Sequence, residues 1–107
     1  MPCYFIVSVD IDDPSMRPMY DRYIEKVKPI VERLGGTYLV RTENIDRPFL
    51  GTWNPDRVIV IRFESREDCD RCFASEEYQS IMGLRTESVK ASAIIVEGME
   101  DETPVAE

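Results

Sequence analysis

Blocks of apolar residues separated by polar ones predict four strands. Residues 4–9 are aromatic or β-branched apart from a single serine, and acidic residues follow them. Residues 37–42, 57–63 and 91–96 are similarly rich in apolar side chains, and glycine, proline or acidic residues border each of them on at least one side. Such runs, bounded by turn-forming residues, are typical of strands rather than helices.

The longest helical pattern lies between the first two predicted strands. Its apolar residues recur at steps of three and four, as on one face of a helix: Met19, Tyr20, Tyr23, Ile24, Val27, Ile30, Val31 and Leu34. Tyr20 and Tyr23 are expected in the core, with their hydroxyls at a pocket rim as the alternative. Pro29 predicts a kink, because its ring displaces the hydrogen bond to the carbonyl of Glu25.

Capping residues mark where the helices begin and end. Asp13-Pro14 or Ser15 can open the first helix, and Gly35-Gly36 can end it in the left-handed conformation. Ser65 is a favourable N-cap for a helix over residues 66–74. Ser75 can cap a further segment from residue 76 to about residue 89, which Gly83 is expected to interrupt.

The resulting order of elements is β-α-β-β-α-β. This order is typical of an α+β domain with its helices on one face of a four-stranded antiparallel sheet. We assign residues 1–98 to this domain. Residues 99–107 carry acidic side chains and no basic one, and we expect them to form a flexible C-terminal tail.

The predicted strands are apolar on both faces. A sheet with one solvated face shows alternating apolar and polar residues, whereas residues 4–7, 58–61 and 93–96 are continuously apolar. The helices can cover only one face, and a large exposed apolar face is unusual for a monomer. We therefore expect a homodimer in which a second copy packs sheet against sheet about a twofold axis.

Charge and composition exclude several classes of function. The chain has 107 residues, with 13 basic and 21 acidic side chains and a formal net charge of −8. A negative balance argues against binding to nucleic acid or to an anionic membrane, because both need an excess of basic residues. The chain has no histidine, which excludes catalysis and metal binding that depend on an imidazole.

The sequence also suggests a compartment. No segment approaches the roughly 18 apolar residues of a membrane span, and the apolar run at residues 4–9 is too short for a signal-peptide core. We expect a cytoplasmic protein whose three cysteines, Cys3, Cys69 and Cys72, are reduced thiols.

Several short stretches carry a resemblance to a known family. They are Gly-Gly-Thr-Tyr-Leu-Val-Arg at 35–41, Gly-Thr-Trp-Asn-Pro-Asp-Arg-Val-Ile-Val-Ile at 51–61, Phe-Glu-Ser at 63–65, Ser-Glu-Glu-Tyr-Gln at 75–79, Arg85, and Val-Glu-Gly at 96–98. Over most of residues 3–98 the chain resembles the DUF1330 family, a domain of unknown function. The resemblance implies a ferredoxin-like α+β fold that pairs as a dimeric α/β barrel. At the level of fold, it also implies a likeness to cofactor-free monooxygenases and lactone isomerases.

Tyr78 and Arg85 are the leading candidates for ligand binding. They lie seven residues apart on a predicted helix, which places them about 20° from the same direction, with Ile81 and Met82 between them. An apolar wall that holds a phenol and a guanidinium suits a small organic anion, because arginine can form two parallel hydrogen bonds with a carboxylate. In the structural alternative, Arg85 pairs with an acidic neighbour and Tyr78 closes the core.

Tyr38 and Arg41 are further candidates in the second predicted strand. Strict alternation places Leu39 and Arg41 on one side and Tyr38 and Val40 on the other. A charge on a covered sheet face needs a ligand or a partner. The alternatives for Arg41 are an edge position or an ion pair across the dimer.

Trp53 completes the set of candidate ligand-binding residues. It lies in the long connector at 43–56, and long connectors often carry function. Trp53 is predicted to fold over the pocket as a lid, or to act as a hydrophobic plug that holds the loop. Leu50 stands where the family pattern usually has an acidic residue.

We expect no metal and no cofactor. Cys69-x-x-Cys72 has the spacing of a redox pair, but it lies in the middle of a predicted helix, where buried cysteines are typical of a core. A metal site would need further ligands, and only Cys3 remains. The aspartates that follow the first strand lack the glycine and the distal glutamate of a calcium loop.

Three functions remain open on the sequence. The leading hypothesis is the binding of a small organic molecule, with carboxylates as the favoured class, in a pocket between the helices and the sheet. The alternatives are a non-catalytic dimeric accessory module and a cofactor-independent monooxygenase-like or isomerase-like enzyme. Such an enzyme would combine tyrosine, arginine and a carboxylate such as Glu25 on an enolisable substrate. A solvent-open cavity at Tyr78, Arg85 and Trp53 would favour binding, and a carboxylate-paired Arg85 would favour the module.

Overall fold

The computed structural model describes residues 1–46 and 48–99, so the predicted acidic tail, apart from Met99, lies outside the described residues. The strands are β1 (Cys3–Asp10), β2 (Thr37–Thr42), β3 (Arg57–Phe63) and β4 (Lys90–Glu97), and the helices are α1 (Arg17–Arg33), α2 (Arg66–Ala74) and α3 (Glu76–Thr86). A short 3-10 turn, Pro14–Met16, leads into α1. All four predicted strands are confirmed, each to within one residue at either end.

The strands form one antiparallel sheet in the order β2-β3-β1-β4. The most continuously apolar strands, β1 and β3, are central and are therefore covered on both edges. This order, with the helices on one face, is the ferredoxin-like arrangement. The predicted α+β fold class is confirmed.

Predicted capping residues mark the starts of α2 and α3 and the end of α1, while Asp13 caps the 3-10 turn that leads into α1. The hydroxyls of Ser65 and Ser75 each accept a hydrogen bond from the backbone N–H three residues later, at 3.1 and 3.2 Å. Gly35 ends α1 with φ +102°, a conformation that other residues rarely adopt. Gly36 is needed for close packing, because an added Cβ would lie 2.4 Å from Cγ1 of Val31.

The prediction for α3 was wrong in one respect. The helix runs without interruption through Gly83 and ends at Thr86, three residues before the predicted end. A glycine inside a helix costs only about 1 kcal/mol, and the carbonyl of Gly83 keeps its hydrogen bond from Glu87 N at 3.0 Å. Just beyond the end of the helix, the hydroxyl of Ser88 donates to the Leu84 carbonyl and so competes with continued helix formation. In α1, the helix continues through Pro29.

A β-bulge overturns the predicted alternation in β2. The pairing with β3 is irregular between Tyr38 and Val40, so Leu39 is an extra residue in the ladder. Tyr38 is opposite Ile61 and Arg41 is opposite Ile59, two residues on the same face of β3. The extra residue shifts the alternation by one, and Tyr38 and Arg41 therefore share the helix-covered face.

The core lies between the helices and one face of the sheet. Its buried side chains come from β1 and β3 and from all three helices: Val7, Val9, Ile61, Phe63, Tyr20, Tyr23, Val27, Val31, Cys69, Cys72, Tyr78 and Ile81. None of the helices in residues 1–46 and 48–99 is both long and apolar enough to cross a bilayer.

The opposite face of the sheet is apolar and uncovered. Strand register places on it Tyr4, Ile6, Val40, Val58, Val60, Ile94 and Val96, which we call the open sheet face. Ile94 is 59% exposed and Val40 is 39% exposed. The described helices all pack on the other face, as the order of elements predicted.

Candidate functional site

A cavity of about 120 Å³ lies between the helices and the sheet. It exists because β4 presents the small side chains of Ala91 and Ala93 toward the helices, opposite Val9 and Val7 of β1. Ala93 is exposed, so the cavity opens to solvent beside β4. The remaining apolar wall is formed by Phe5, Val27, Ile59, Ile61 and Phe73. Ile81 and Met82, expected in this wall, do not line the cavity.

The polar end of the cavity is formed by Tyr23, Tyr78 and Arg85, which we call the phenol–arginine cluster. The two phenol oxygens are 3.0 Å apart, and Arg85 Nε donates to Tyr78 Oη at 3.4 Å. The Ser75 cap fixes Tyr78 in the first turn of α3, and Arg85 follows in the last turn on nearly the same side. The sequence therefore placed Tyr78 and Arg85 together correctly.

Hydrogen-bond donors outnumber acceptors in the phenol–arginine cluster. The guanidinium of Arg85 stays protonated and carries several N–H donors, while each phenol carries one O–H. The bond between the phenols uses only one O–H, and Arg85 contacts only the two phenols, with its Nε–H donating to Tyr78 and a weaker contact to Tyr23. In the described part of the chain Arg85 forms no ion pair with a carboxylate. The cluster is thus a positively charged group of donors that suits an anion rich in acceptors.

The phenol–arginine cluster donates hydrogen bonds and cannot easily accept a proton. Burial raises the pKa of the Tyr23 phenol far above its ordinary value, and the neighbouring Tyr78 raises it further. Tyr23 therefore stays protonated near neutral pH. Glu25, the carboxylate expected to assist in catalysis, lies on the exposed side of α1 and does not line the cavity. Among the residues that the structure describes, no carboxylate lines it.

Tyr38 and Arg41 lie outside the cavity and contact each other. The Arg41 guanidinium carbon is 5.3 Å from the centre of the Tyr38 ring, and Arg41 also donates to the Ile24 carbonyl at 2.6 Å. Burial raises the pKa of Tyr38 to about 12. These contacts join β2 to α1 and give Arg41 a structural partner.

Trp53 also lies apart from the cavity, so the predicted lid is not present in this structure. Its side chain is 63% exposed. It lines a separate groove with Ile45, Pro48, Phe49, Leu50, Pro55 and Val58. Of the five candidate residues, the structure brings only Tyr78 and Arg85 to the cavity.

The paired cysteines belong to the core. Cys69 and Cys72 are fully buried free thiols. Burial raises the pKa of Cys69 to about 12 and that of Cys72 to about 11, so both thiols stay protonated and unreactive near neutral pH. Among the described residues, no three His, Cys, Asp or Glu side chains are grouped closely enough to hold a metal ion.

A second arginine lies on the helix-covered side of the sheet. Arg57 is 7% exposed, and its Nη1 is 3.4 Å from a carboxylate oxygen of Glu43. Its Nε has no hydrogen-bond partner among the described residues. Glu43 also accepts from Arg17 at 2.8 Å, and the hydrogen bond from Arg17 lowers the pKa of this carboxyl.

The cavity is also lined by Tyr20 and Tyr23, whose hydroxyls were expected at a pocket rim only as an alternative, and by the two alanines of β4, which were not among the candidates. Tyr23 was expected mainly in the core, where it is indeed buried. The signal in the sequence was that Tyr23 carries a hydroxyl on the apolar face of its helix, because a buried hydroxyl requires a hydrogen-bond partner. Ala91 and Ala93 were a second signal, because two small residues at alternate strand positions leave room for a cavity.

Solved structures share this fold at low sequence identity. A protein of unknown function from Rhodopseudomonas palustris superposes with a TM-score of 0.75 at 17% identity, covering 92% of this chain and 83% of its own. A dimeric ferredoxin-like protein of unknown function from Jannaschia sp. CCS1 gives 0.75 at 13% identity, with 92% and 100% coverage. SnoaB, a cofactor-independent oxygenase from Streptomyces nogalater, gives 0.63 at 8% identity, with 96% and 97% coverage. At these identities the likeness establishes the fold alone.

The family assignment comes from the sequence itself. No protein of curated function matches the chain. The family model described as "Domain of unknown function (DUF1330)" matches residues 2–99, which include every strand and helix and the phenol–arginine cluster. The chain belongs to the DUF1330 family, as the motifs around Gly35-Gly36 and Trp53 predicted.

Proposed function

We propose that the protein binds a small organic acid in the cavity, with the carboxylate held by the phenol–arginine cluster. The observation that carries this proposal is the partner of Arg85. This half-buried guanidinium is hydrogen-bonded to a phenol rather than to a carboxylate, at the polar end of an apolar cavity. A buried charge without a counter-ion is costly, and a bound carboxylate would supply both the counter-charge and acceptors for the unused donors.

The size of the cavity limits the ligand. A dry apolar cavity of about 150 Å³ can hold benzene, and this one measures about 120 Å³. A short aliphatic chain or one small ring therefore fits inside the walls. A larger acid would have to extend past Ala93, where the cavity opens.

Binding is better supported than catalysis. Proton abstraction needs a base within hydrogen-bond reach of the substrate. The titratable groups that line the cavity are phenols and a guanidinium, which donate. An accessory module without a ligand is less well supported, because such a module has no use for an uncompensated arginine beside an open cavity.

We also propose that the protein is a homodimer in which the open sheet faces of two copies pack together. Ile94 and Val40 are exposed on this face, and water would otherwise cover the whole apolar surface. The ferredoxin-like protein from Jannaschia sp. CCS1 is described as dimeric, which supports the same assembly here.

We place the protein in a reducing compartment such as the cytoplasm. Cys3, Cys69 and Cys72 are all free and buried. Cysteines that fold in oxidising compartments are commonly paired in disulfides. Free thiols throughout the described chain therefore support this assignment.

The ligand proposal is tested by titrating acetate, butyrate, hexanoate and benzoate against the wild type, with the matching amides as neutral controls. Arg85→Gln should raise the Kd of the tightest-binding acid by about 100-fold or more, because the carboxylate loses its charged partner. Ala93→Leu should weaken binding by filling the cavity while leaving Arg85 in place. Arg71→Gln is the matched control, because Arg71 is a surface arginine paired with Asp68 on α2, and it should bind normally.

Calorimetry gives the Kd values, and circular dichroism confirms that each variant is folded. Amides that bind as tightly as acids would contradict the proposal. So would a folded Arg85→Gln variant with wild-type affinity for the acids.

A further inference from the structure

The connector between β2 and β3, residues 43–56, exposes large apolar side chains. Phe49 is 89% exposed, Leu50 82% and Trp53 63%. These three side chains lie within five residues of one another in the chain. Scattered exposed apolar residues are ordinary, but a cluster of this size indicates a contact surface.

The apolar surface of the connector continues into the open sheet face. Val58, the second residue of β3, lines the connector groove together with Phe49, Leu50 and Trp53. Val58 also lies on the open sheet face, opposite Ser8 of β1. A partner that covers the open sheet face therefore meets the connector at its border.

The connector can enlarge the contact that the open sheet face offers. Four strands spaced about 4.8 Å apart, each about seven residues long at about 3.3 Å per residue, have a flat footprint of roughly 450 Å². A stable interface buries about 800 Å² of accessible surface on each partner. The connector is exposed, apolar and adjacent, so its side chains would add to the area that the sheet face buries.

The charge distribution favours a second copy as the occupant. Although the chain has a net charge of −8, the stretch 48–55 carries no charged residue. The charged positions on the same side of the strands are Asp10, Arg62 and Lys90, so acidic residues do not dominate that side. Two copies can meet here without placing like charges opposite each other.

We propose that Phe49, Leu50 and Trp53 of each subunit are buried against the other subunit, as the outer part of the twofold interface. This inference rests on the proposed homodimer. It also assigns Trp53 a role that differs from the predicted lid, because its side chain contacts the second copy rather than the ligand cavity.

Trp53 is the only tryptophan in the chain, so its fluorescence reports on the connector directly. The wild type is diluted through its dimer dissociation, measured in parallel by sedimentation, while Trp53 emission and iodide quenching are recorded. As the dimer dissociates, emission should shift to longer wavelength and quenching should rise. Ile94→Lys, a change at an exposed position of the open sheet face, should be monomeric and show the exposed-tryptophan spectrum at every concentration.

The variant pair Leu50→Ser and Met99→Ser tests the connector a second way. Both residues are 82% exposed, but Met99 lies beyond β4 and outside the connector. Leu50→Ser should raise the dimer dissociation constant about 10-fold or more, and Met99→Ser should leave it unchanged.

The possible failures are distinguishable. A wild type that sediments as a monomer at all concentrations overturns the homodimer and this inference with it. A wild type that dimerises while Trp53 emission and quenching stay constant overturns the role of the connector alone. A Trp53 that is shielded in the monomeric Ile94→Lys variant shows that the connector folds onto its own subunit, which also overturns it.

Discussion

Arg57 and Arg85 both lie between the sheet and the helices, but they have different partners. Arg57, at the start of β3, contacts the carboxylate of Glu43 at 3.4 Å. Arg85, in the last turn of α3, contacts the phenol of Tyr78 at the same distance. A carboxylate cancels the charge of a guanidinium, whereas a neutral phenol leaves that charge in place. The first arrangement is a structural ion pair, and the second leaves a cation available to a ligand.

The surroundings of the two arginines support this distinction. Glu43 also binds Arg17 of α1, so the Arg57 ion pair joins β3, the connector and α1. Arg85 instead faces a cavity that opens to solvent. Burial alone would have ranked Arg57 as the better site candidate, because it is the more buried of the two. The chemistry of the partner, rather than the degree of burial, separates a structural arginine from a binding one.

The largest effect on stability should come from removing Glu43. Glu43→Ala leaves the buried Arg57 guanidinium without a counter-ion and should lower the free energy of unfolding by about 2 kcal/mol. Affinity for the acid ligand should stay within about twofold, because Glu43 does not line the cavity. Urea unfolding measures the first quantity and calorimetry the second.

The matched control for Glu43→Ala is Glu77→Ala. Glu77 is paired with Arg33 on the surface, and its removal should change stability by less than about 1 kcal/mol. Two equally stable variants would show that the Arg57 ion pair is not structural. A loss of ligand affinity in Glu43→Ala would remove the distinction between the two arginines.

The fold could be read from the sequence because its signals are local. Apolar runs identified the strands, and Ser65, Ser75 and Gly35 marked helix ends through hydrogen bonds to nearby backbone. The bulge at Leu39 could not be read this way. It depends on how β2 pairs with β3, and that pairing joins residues about 20 positions apart.

The site was predictable only within a single helix. The spacing of Tyr78 and Arg85 gave their common direction, because both lie on α3. The hydrogen bond between Tyr23 and Tyr78 joins α1 to α3 and spans 55 positions of sequence, which no periodic pattern reveals. Trp53 was assigned to the cavity on the general behaviour of long connectors, and its position depends on where the connector turns.

A smaller effect should come from the phenol that links the cluster. Tyr78 Oη contacts both Tyr23 and Arg85, so Tyr78→Phe removes the shared partner and loosens the hold on Arg85. We expect about a 10-fold loss of acid affinity, equivalent to about 1.4 kcal/mol and well below the effect of Arg85→Gln. Tyr23→Phe should cost less, because it leaves the stronger hydrogen bond between Tyr78 and Arg85 in place.

Tyr38→Phe is the control for Tyr78→Phe. Tyr38 is a half-buried tyrosine outside the cavity, and a phenylalanine keeps a ring beneath Arg41. Equal affinity losses in the Tyr38 and Tyr78 variants would point to a general loosening of the core. A Tyr78→Phe variant with wild-type affinity would remove the phenols from the proposed site.

The smallest effect should be a difference in pH dependence: the stability that Glu43 provides to Arg57 should fall at acid pH, whereas ligand affinity at Arg85 should not. The pKa of Glu43 is lowered in the folded protein by its hydrogen bond to Arg17, relative to an ordinary value of 4.5. The stability that the Glu43 carboxylate contributes is therefore complete above pH 4.5, and it is lost as the pH falls through the lower pKa of the folded state. The loss should be about 1 kcal/mol or less, because Glu43 is partly exposed and a neutral carboxyl still accepts hydrogen bonds. Glu43→Ala should unfold with a weaker dependence on acid than the wild type.

The affinity for the organic acid ligand should not show this pH dependence. Arg85 keeps its charge, and burial keeps Tyr23 protonated. The affinity for a ligand that stays ionised should therefore be flat between about pH 5.5 and 8.5. Calorimetry across this range, at constant ionic strength, measures it. A bell-shaped or sigmoidal profile would require a titrating group in contact with the ligand, and the chain has no histidine to supply it. If the titrating group were a carboxylate beside the guanidinium, Arg85 would resemble Arg57 after all.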